Sequence, residues 1–429
     1  AISTTEKIFI PKGNKKLSKQ KSHTVHLGHL IKNGHEIDEV LVTLFKGPNS
    51  YTGEDTIEIS CHGSTFIQQE IIDLFIDNGI RVANPGEFTL RAFINGKMDL
   101  NQAEAVADLI ASENEGSHKL AMQQMKSGFS EDLKKLRAEL LNFSSMIELE
   151  LDFSQEDVEF AERNEFKKLT NKIILELGNL IDSFKSGNVL KNGISVAIAG
   201  KPNAGKSSLL NKLLNEEKAI VSDIPGTTRD SIEDSLTIEG IKFRFTDTAG
   251  LRKTEDIIES KGIEKTKEKI NKARILLYLF DSNDTNLEEI NNDLNTFKRE
   301  DLHIILVRNK IDLDNNNPKL ISELENFNLI QISVNDSDSI SKLKTKLISE
   351  VNILNPYTDT IVSNSRHYEA LINALEAIKD VNKGIESNIS GDLLSVDIRK
   401  SIQHLAEITG EITNNDVLGN IFANFCIGK

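Results

Sequence analysis

The sequence predicts a multidomain protein with α/β and all-α parts, in which an α/β domain is inserted into a helical domain. Three observations predict this fold class. Residues 1–100 mix strand and helix patterns as an α+β domain does, residues 101–192 and 354–429 show helical periodicity, and residues 193–353 alternate apolar strands with helices. The length of 429 residues suits two to four domains, at roughly 100–200 residues each.

The N-terminal segment is predicted to be α+β or α/β from its mixture of alternating strand patterns and helical pattern. Such alternation over residues 22–30 and 36–45, around a turn at Asn33 and Gly34, indicates a β-hairpin. Three further elements are expected downstream: a strand at 55–63, a helix at 66–79 and a strand with a turn at 80–88. The hairpin also carries histidines three residues apart, which point to opposite faces of a strand and cannot share a metal: His23, His26 and His29.

The helical domain is predicted to be discontinuous. Apolar residues recur at spacings of three and four from Leu133 to Ile147, which marks one face of a helix. The helical pattern stops at Gly193 and returns after Asn355 and Pro356, a pair that breaks periodic structure. Because the ends of a domain often lie close together, an α/β domain can be inserted between two such halves.

The composition is that of a globular protein without a membrane segment. Hydrophobic residues make up 38% of the chain, and no apolar run approaches the roughly 18 residues that span a bilayer. We therefore expect no membrane association. The two cysteines, Cys61 and Cys426, make no disulfide framework, which favours a reducing compartment and a cytoplasmic protein.

The charge distribution is uneven. A net charge of −15 argues against a protein that coats nucleic acid by bulk charge, although a local patch can still bind it. The first 35 residues contain seven lysines and one acidic residue. This pattern favours a solvated loop and strand face at the start of the chain.

A phosphate-binding loop follows the apolar strand ISVAIAG. Residues Gly200–Ser207 spell GKPNAGKS and precede a helical SLLNKLL, which is the strand–loop–helix context that a P-loop requires. The glycines would let backbone N–H groups surround phosphate oxygens at the start of a helix. Lys206 would reach the β- and γ-phosphates, and Ser207 would hold Mg²⁺.

Three further motifs follow the P-loop in the order that a GTPase needs. GTTRD begins at Gly226 and supplies a switch threonine for Mg²⁺. DTAG begins at Asp247, whose carboxylate would contact Mg²⁺ through water, and its Gly250 N–H would bind the γ-phosphate. NKID begins at Asn309, and its aspartate can accept two hydrogen bonds from guanine N1 and N2, a donor pair that adenine lacks. The ordered set therefore predicts a Ras-like GTP-binding domain, with these binding residues: Asn203, Ala204, Gly205, Lys206, Ser207, Ser208, Thr227, Thr228, Asp247, Gly250, Asn309, Lys310, Asp312 and Ser333.

One position departs from the Ras pattern. Leu251 occupies the place of the glutamine that orients the attacking water in Ras-like enzymes, and leucine cannot do this. Hydrolysis is therefore very slow, or another group supplies the function. Acidic residues downstream are candidates, although a solvated acidic loop explains them as well: Glu255, Asp256 and Glu259.

These motifs resemble the MnmE (TrmE) family of tRNA-modification GTPases over essentially the whole chain. The resemblance includes GPNSYTGED at 47–55, CHG at 61–63, the stretch from NPGEF to AVADLI at 84–110, the GTPase motifs and the terminal FCIGK. It implies a folate-binding N-terminal domain that dimerises, a discontinuous helical domain and an inserted G domain. The family's opening strand has no counterpart here, so we expect the N-terminal domain to lack its first strand.

The resemblance also implies a function. With the flavoprotein MnmG, the family adds an aminomethyl-type group to carbon 5 of the wobble uridine of certain tRNAs. It uses GTP, Mg²⁺, K⁺ and a tetrahydrofolate derivative (5-formyl- or 5,10-methylene-tetrahydrofolate). In this family the G domains pair, and K⁺ takes the place of an arginine finger. The matching residues are Asn203, Ser222 and Ile224 for K⁺, Ser207 and Thr228 for Mg²⁺, Glu259 for the water network, and Arg91 and Lys97 for folate.

The terminal cysteine requires its own interpretation. A prenylation box is rejected because Gly428 and Lys429 follow Ile427, and a zinc site lacks partners. In the family the terminal CIGK reaches toward the folate pocket, so Cys426 is expected to serve tRNA modification, by chemistry or by position.

Two other functions remain alternatives. A ribosome-assembly GTPase would share the G domain but commonly adds an RNA-binding module or a second G domain. A scaffold with a decayed G domain is disfavoured by the intact motifs.

Overall fold

The computed structural model divides into two compact units. The first comprises residues 1–111, 121–174 and 370–429, and the second residues 112–120 and 175–369. The domain boundaries at residues 100, 192 and 353 remain predictions. The structure describes residues 1–13, 15–126, 128–152, 163–218, 234–245, 270–299, 301–313, 318–324, 327–354, 361–387, 389–413, 415–423, 425 and 428.

The first unit opens with an antiparallel sheet beside a short helix. The helix is α1 (Ile2–Ile8), and the strands follow the order β1 (Phe9–Pro11), β2 (Thr24–Lys32), β3 (His35–Phe45) and β4 (Thr56–Ser60). The predicted hairpin of β2 and β3 is confirmed. Asn33 and Gly34 have φ of 52° and 81°, and a two-residue turn of this kind matches the twist of the flanking strands.

Three helices follow the sheet: α2 (Thr65–Asp77), α3 (Glu87–Ile94) and α4 (Leu100–Ile110). The predicted strand at 55–63 and the helix at 66–79 are confirmed. The predicted strand at 80–88 is wrong, because residues 80–84 form no strand and α3 begins at Glu87. Pro85 has no N–H to donate to a neighbouring strand. The Asn84 N–H donates to the Glu87 carboxylate at 2.8 Å, so the segment bonds to Glu87 and does not join the sheet.

Long helices come next: α5 (Glu115–Met125), α6 (Gly128–Asp152) and α7 (Arg163–Asn192), of which α5 and α7 are divided between the two units. The apolar face predicted on α6 is confirmed. Each of its members is at most 3% exposed: Leu133, Leu136, Leu140, Phe143 and Ile147.

The second unit contains a six-stranded sheet in the order β10-β9-β8-β5-β7-β6. Its strands are β5 (Ile194–Gly200), β6 (Asp234–Ile238), β7 (Ile241–Phe245), β8 (Ile275–Asp281), β9 (His303–Asn309) and β10 (Leu329–Gln331). Its helices after α7 are α8 (Lys206–Lys218), α9 (Leu287–Phe297), α10 (Pro318–Leu324) and α11 (Ser337–Leu354). The strands pair in parallel except β6 with β7. The carboxyl ends of parallel strands therefore meet at one edge, where α/β sheets bind ligands.

The last helices are α12 (Ser365–Glu386), which belongs to the first unit from residue 370 onward, α13 (Gly391–Thr409) and α14 (Asn415–Ala423). Helix α13 packs along α6, and Arg399 donates to Glu148 across this contact. A second ion pair joins Arg137 of α6 to Glu411 just beyond α13. In the part of the chain that the structure describes, no helix is long and apolar enough to cross a membrane.

Candidate nucleotide-binding site

The loop between β5 and α8 begins with a glycine that no other residue could replace. Gly200 has φ of 133°, in the left-handed half of conformational space. A β-carbon there would collide with the carbonyl oxygen of Leu279 on the neighbouring strand β8. At the end of strand β5 there is therefore no space for a side chain, because the loop backbone passes close to β8.

The rest of the loop turns on two residues with positive φ. Asn203 has φ of 64° and Gly205 has φ of 97°, and asparagine tolerates this region better than most residues. The Lys206 ammonium donates to the carbonyls of Gly200 and Lys201 at 2.7 and 2.6 Å, and burial lowers its pKa. The loop thus holds a lysine ammonium at the first turn of α8, where the helix dipole also favours an anion.

The end of β9 joins this loop through one side chain. Asn309 is 3% exposed, and its Nδ2 donates to the Ala204 carbonyl at 2.9 Å. Its Oδ1 is buried, and no hydrogen-bond partner for it occurs among the residues that the structure describes. Since a buried polar atom normally has a partner, an acceptor left over beside the P-loop is a point where a ligand fits.

Lys310 is fixed by a residue that the sequence did not single out. It has φ of 62°, and its Nζ lies 3.1 Å from Asp281 at the end of β8. Burial alone would raise the pKa of Asp281, but hydrogen bonds from the Asn283 N–H and from Lys310 outweigh it and lower the pKa. The sequence contains an indication of this role, because Asp281 directly follows the apolar run ILLYLF and so lies at the ligand-binding edge of the sheet.

Asp312 is held as a carboxylate by the loop after β10. A hydrogen bond from Ser333 lowers the pKa of Asp312, and Asn335 Nδ2 lies 3.5 Å from its Oδ2. Ser333 itself is buried. The structure therefore brings together Ser333 and Asp312, two residues that the sequence predicts for GTP binding.

Other predicted site residues have a different status. Ser207 and Ser208 lie in the first turn of α8. The remaining predictions lie outside the described residues: Ser222, Ile224, Thr227, Thr228, Asp247, Gly250, Leu251, Glu255, Asp256, Glu259 and Cys426. Within the described ranges, no group of three or more His, Cys, Asp or Glu side chains could hold a metal ion.

A cavity of about 640 Å³ lies in the first unit, and Arg91 is in its wall. The Arg91 guanidinium donates to Glu54 at 2.8 Å and to Glu87 at 2.6 Å. Arg81 binds the same Glu87 carboxylate with two hydrogen bonds, which, with the Asn84 N–H, lower the pKa of Glu87 to about 2. The volume suits a ligand of folate size, but the two arginines are already paired with carboxylates.

Lys97 does not contribute to this cavity. Its Nζ donates to the Pro48 carbonyl at 2.8 Å, and it is not among the lining residues. Its stem packs against Gly53, since a β-carbon on Gly53 would lie 3.4 Å from Lys97 Cγ. Of the two residues predicted for folate, Arg91 therefore lines this cavity and Lys97 does not, and their role in folate binding stays a prediction.

Two family models together match nearly the whole chain. A family model described as GTP-binding protein TrmE N-terminus matches residues 1–97, and one described as MnmE helical domain matches residues 100–426. Relatives named tRNA modification GTPase MnmE are 55% identical in Flavobacterium johnsoniae, 52% in Bacteroides fragilis and 50% in Cytophaga hutchinsonii. Each alignment covers 100% of this chain and 93–94% of the relative.

One solved structure, Aquifex aeolicus Era bound to GDP and aluminium fluoride, is 24% identical over 43% of this chain and 66% of its own. Its TM-score of 0.27 is too low to indicate function. The family models and the full-length relatives decide the assignment, and they agree with the nucleotide-site geometry. The chain belongs to the MnmE family, and it is a GTP-hydrolysing enzyme.

Proposed function

We propose that this enzyme couples GTP hydrolysis to modification of carbon 5 of the wobble uridine of tRNA, together with an MnmG partner and a tetrahydrofolate derivative. The observation that carries the nucleotide part is the Asn309–Ala204 hydrogen bond, because it joins the phosphate loop to the base-reading strand. Relatives named tRNA modification GTPase, aligned over the full chain, support the tRNA part.

The phosphate side of the reaction is assigned to the P-loop. Lys206 is held against the loop and would move from the two carbonyls to the β- and γ-phosphates. Ser207 stands at the start of α8, where its hydroxyl would bind Mg²⁺ together with Thr228. Bound Mg²⁺ would neutralise charge that develops on the phosphates.

A potassium ion is proposed to replace the arginine finger. Asn203 is exposed on the P-loop, and its side chain makes no hydrogen bond to another described residue, so its amide oxygen is available to a cation. The other proposed ligands are Ser222 and Ile224, with Glu259 orienting the water network. A cation at this place stabilises the charge on the transferring phosphoryl group.

We expect GTP turnover to be about 10-fold or more faster in K⁺ than in Na⁺ at equal ionic strength, because removal of one well-placed electrostatic contact typically costs at least that much. Steady-state phosphate release measures it. Asn203→Ala should remove most of the difference between the salts, while Asn211→Ala, at an exposed position on α8, should keep it. Equal wild-type rates in the two salts would contradict the assignment of Asn203.

Dimerisation through the N-terminal sheet is proposed as well. The solvent face of this sheet presents Val25, Leu27 and Leu41, each at least 40% exposed, and Leu27 lies directly opposite Leu41 in register. Ile10 on β1 is 58% exposed. Grouped apolar side chains on a sheet face favour an interface, here with a second copy of the chain.

The modification function is tested by mass spectrometry of nucleosides from bulk tRNA, with and without the gene. Loss of a C5-aminomethyl-type uridine, restored by wild type but not by Cys426→Ser, is the expected result. Cys61→Ser is the matched control, since Cys61 packs against the core of the N-terminal sheet and should be replaceable. An unchanged nucleoside profile with accumulating ribosomal precursors would instead favour the ribosome-assembly alternative.

A further inference from the structure

The loop between β1 and β2 concentrates positive charge on a protein that is otherwise acidic. Residues 12–21, called the basic loop here, contain five lysines and no acidic residue, whereas the whole chain has a net charge of −15. The sequence pattern alone favours a solvated surface. In the structure, the centre of the loop is anchored to the N-terminal sheet, and most of its lysines form no ion pair with a described carboxylate.

The backbone of the basic loop is fixed at its centre. Leu17 is 2% exposed and belongs to the core of the N-terminal sheet. The next residue, Ser18, donates its N–H and its hydroxyl to Glu6 at 2.7 and 2.8 Å, and its carbonyl accepts from Lys46 at 2.7 Å. The lysines therefore project from a rigid base, and binding does not have to order the loop.

Four of the five lysines form no ion pair with a carboxylate among the described residues, although Lys16 is close enough to Glu6 to help lower the pKa of that carboxyl. Lys12 pairs with Glu39. The others are exposed, and within the described ranges none lies within 4 Å of a carboxylate: Lys15, Lys16, Lys19 and Lys21. Four like charges within seven residues repel one another, and an external polyanion would relieve this repulsion.

We propose that the basic loop binds the phosphate backbone of the tRNA substrate, an inference that rests on the proposed function. The loop has no apolar side chain to insert into a membrane, because its single one, Leu17, is buried. Protein interfaces are depleted in lysine and depend on aromatic or arginine anchors, which residues 12–21 do not contain. Phosphate contacts carry no base sequence, so the loop orients the tRNA and does not select it.

The test replaces Lys15, Lys16, Lys19 and Lys21 by glutamine in the full chain. Binding of unmodified tRNA is measured by fluorescence anisotropy between 50 and 200 mM KCl, without nucleotide. Each phosphate contact contributes roughly 0.7–0.9 to the slope of log affinity against log salt, so the slope should fall by about 3. Over this range the wild type would lose about 60-fold more affinity than the variant.

Three controls keep the result specific. Lysine-to-arginine replacement at the same positions should restore the slope, because arginine keeps the charge. A matched quadruple variant removes four exposed lysines spread over other surfaces, and its slope should stay close to wild type: Lys168, Lys298, Lys342 and Lys379 to glutamine. GTP turnover and circular dichroism should be unchanged in all variants, since the basic loop holds no P-loop residue.

The outcomes separate this inference from the proposed function. A glutamine variant with a wild-type slope would overturn the inference while tRNA modification still stood. Loss of binding to vesicles containing anionic lipid, with tRNA binding intact, would overturn it in favour of a membrane. Failure of the wild-type protein to bind tRNA would remove the proposed function itself, and the inference with it.

Discussion

Replacing Gly205 by alanine should lower GTP affinity by about 30-fold or more. The residue has φ of 97°, which costs a non-glycine residue about 1–2 kcal/mol. The new β-carbon would also collide with Asn309 Nδ2, a buried group tied to the Ala204 carbonyl. The side chain of Asn309 would have to leave this bond, and overpacking of this kind costs about 1–3 kcal/mol. Titration with a fluorescent GTP analogue measures the loss.

Gly34→Ala is the matched control for Gly205→Ala. Gly34 also has positive φ, 81°, but no atom lies within 4 Å of a β-carbon there. It should lower the stability of the N-terminal sheet and leave GTP affinity unchanged. If Gly205→Ala binds GTP normally while folded, the close approach of Asn309 to the P-loop is not needed for binding.

Replacing Asp312 by asparagine should change the base that the enzyme accepts. A carboxylate accepts hydrogen bonds from guanine N1 and N2, whereas asparagine accepts one and donates the other. The second contact places two N–H donors against each other, so at least one charge-assisted hydrogen bond, worth about 1.5–3 kcal/mol, is lost and GTP affinity should fall about 10-fold or more. Xanthosine triphosphate has a carbonyl at C2 and should bind the variant better than GTP does. Hydrolysis assays with both nucleotides measure the exchange.

Asn335→Ala is the control for this exchange of specificity. Asn335 lies 3.5 Å from the Asp312 carboxylate, so its removal loosens the orientation of Asp312 without altering donors and acceptors. GTP affinity should fall only a few-fold, and xanthosine triphosphate should remain a poor ligand. If Asp312→Asn weakens both nucleotides equally, Asp312 does not read the base.

The geometry of the P-loop could be predicted from sequence because it is set by local backbone conformation. The conformations of Gly200 and Gly205 require glycine, and a P-loop between a strand and a helix fixes where Lys206 stands. The contact of Asp281 with Lys310 was missed, since it joins the ends of two strands and has no local pattern. An aspartate that ends a fully apolar strand was the available signal.

The first unit shows which contacts could not be predicted from local sequence patterns. The hairpin of β2 and β3 is encoded by its own turn, so alternation and Asn33-Gly34 were sufficient. The segment 80–84 alternates like a strand, but the Arg81 guanidinium and the Asn84 N–H both donate to Glu87. Arg91 meets Glu54, which is 37 residues away in sequence, and no periodicity reveals a partner at that distance.

The packing of α6 on α13 has a consequence for biosynthesis. Helix α6 ends at Asp152 and α13 begins at Gly391, with the whole second β-sheet encoded between them. A ribosome adds about 5–20 residues per second, so the partner of α6 emerges roughly 10 to 50 s after α6 does. During this interval the part of α6 that packs on α13 stays uncovered, while Phe166 of α7 can already pack on Phe143 and the second unit can fold. The second unit can therefore be completed before the first, and the uncovered part of α6 is where a chaperone would bind the nascent chain.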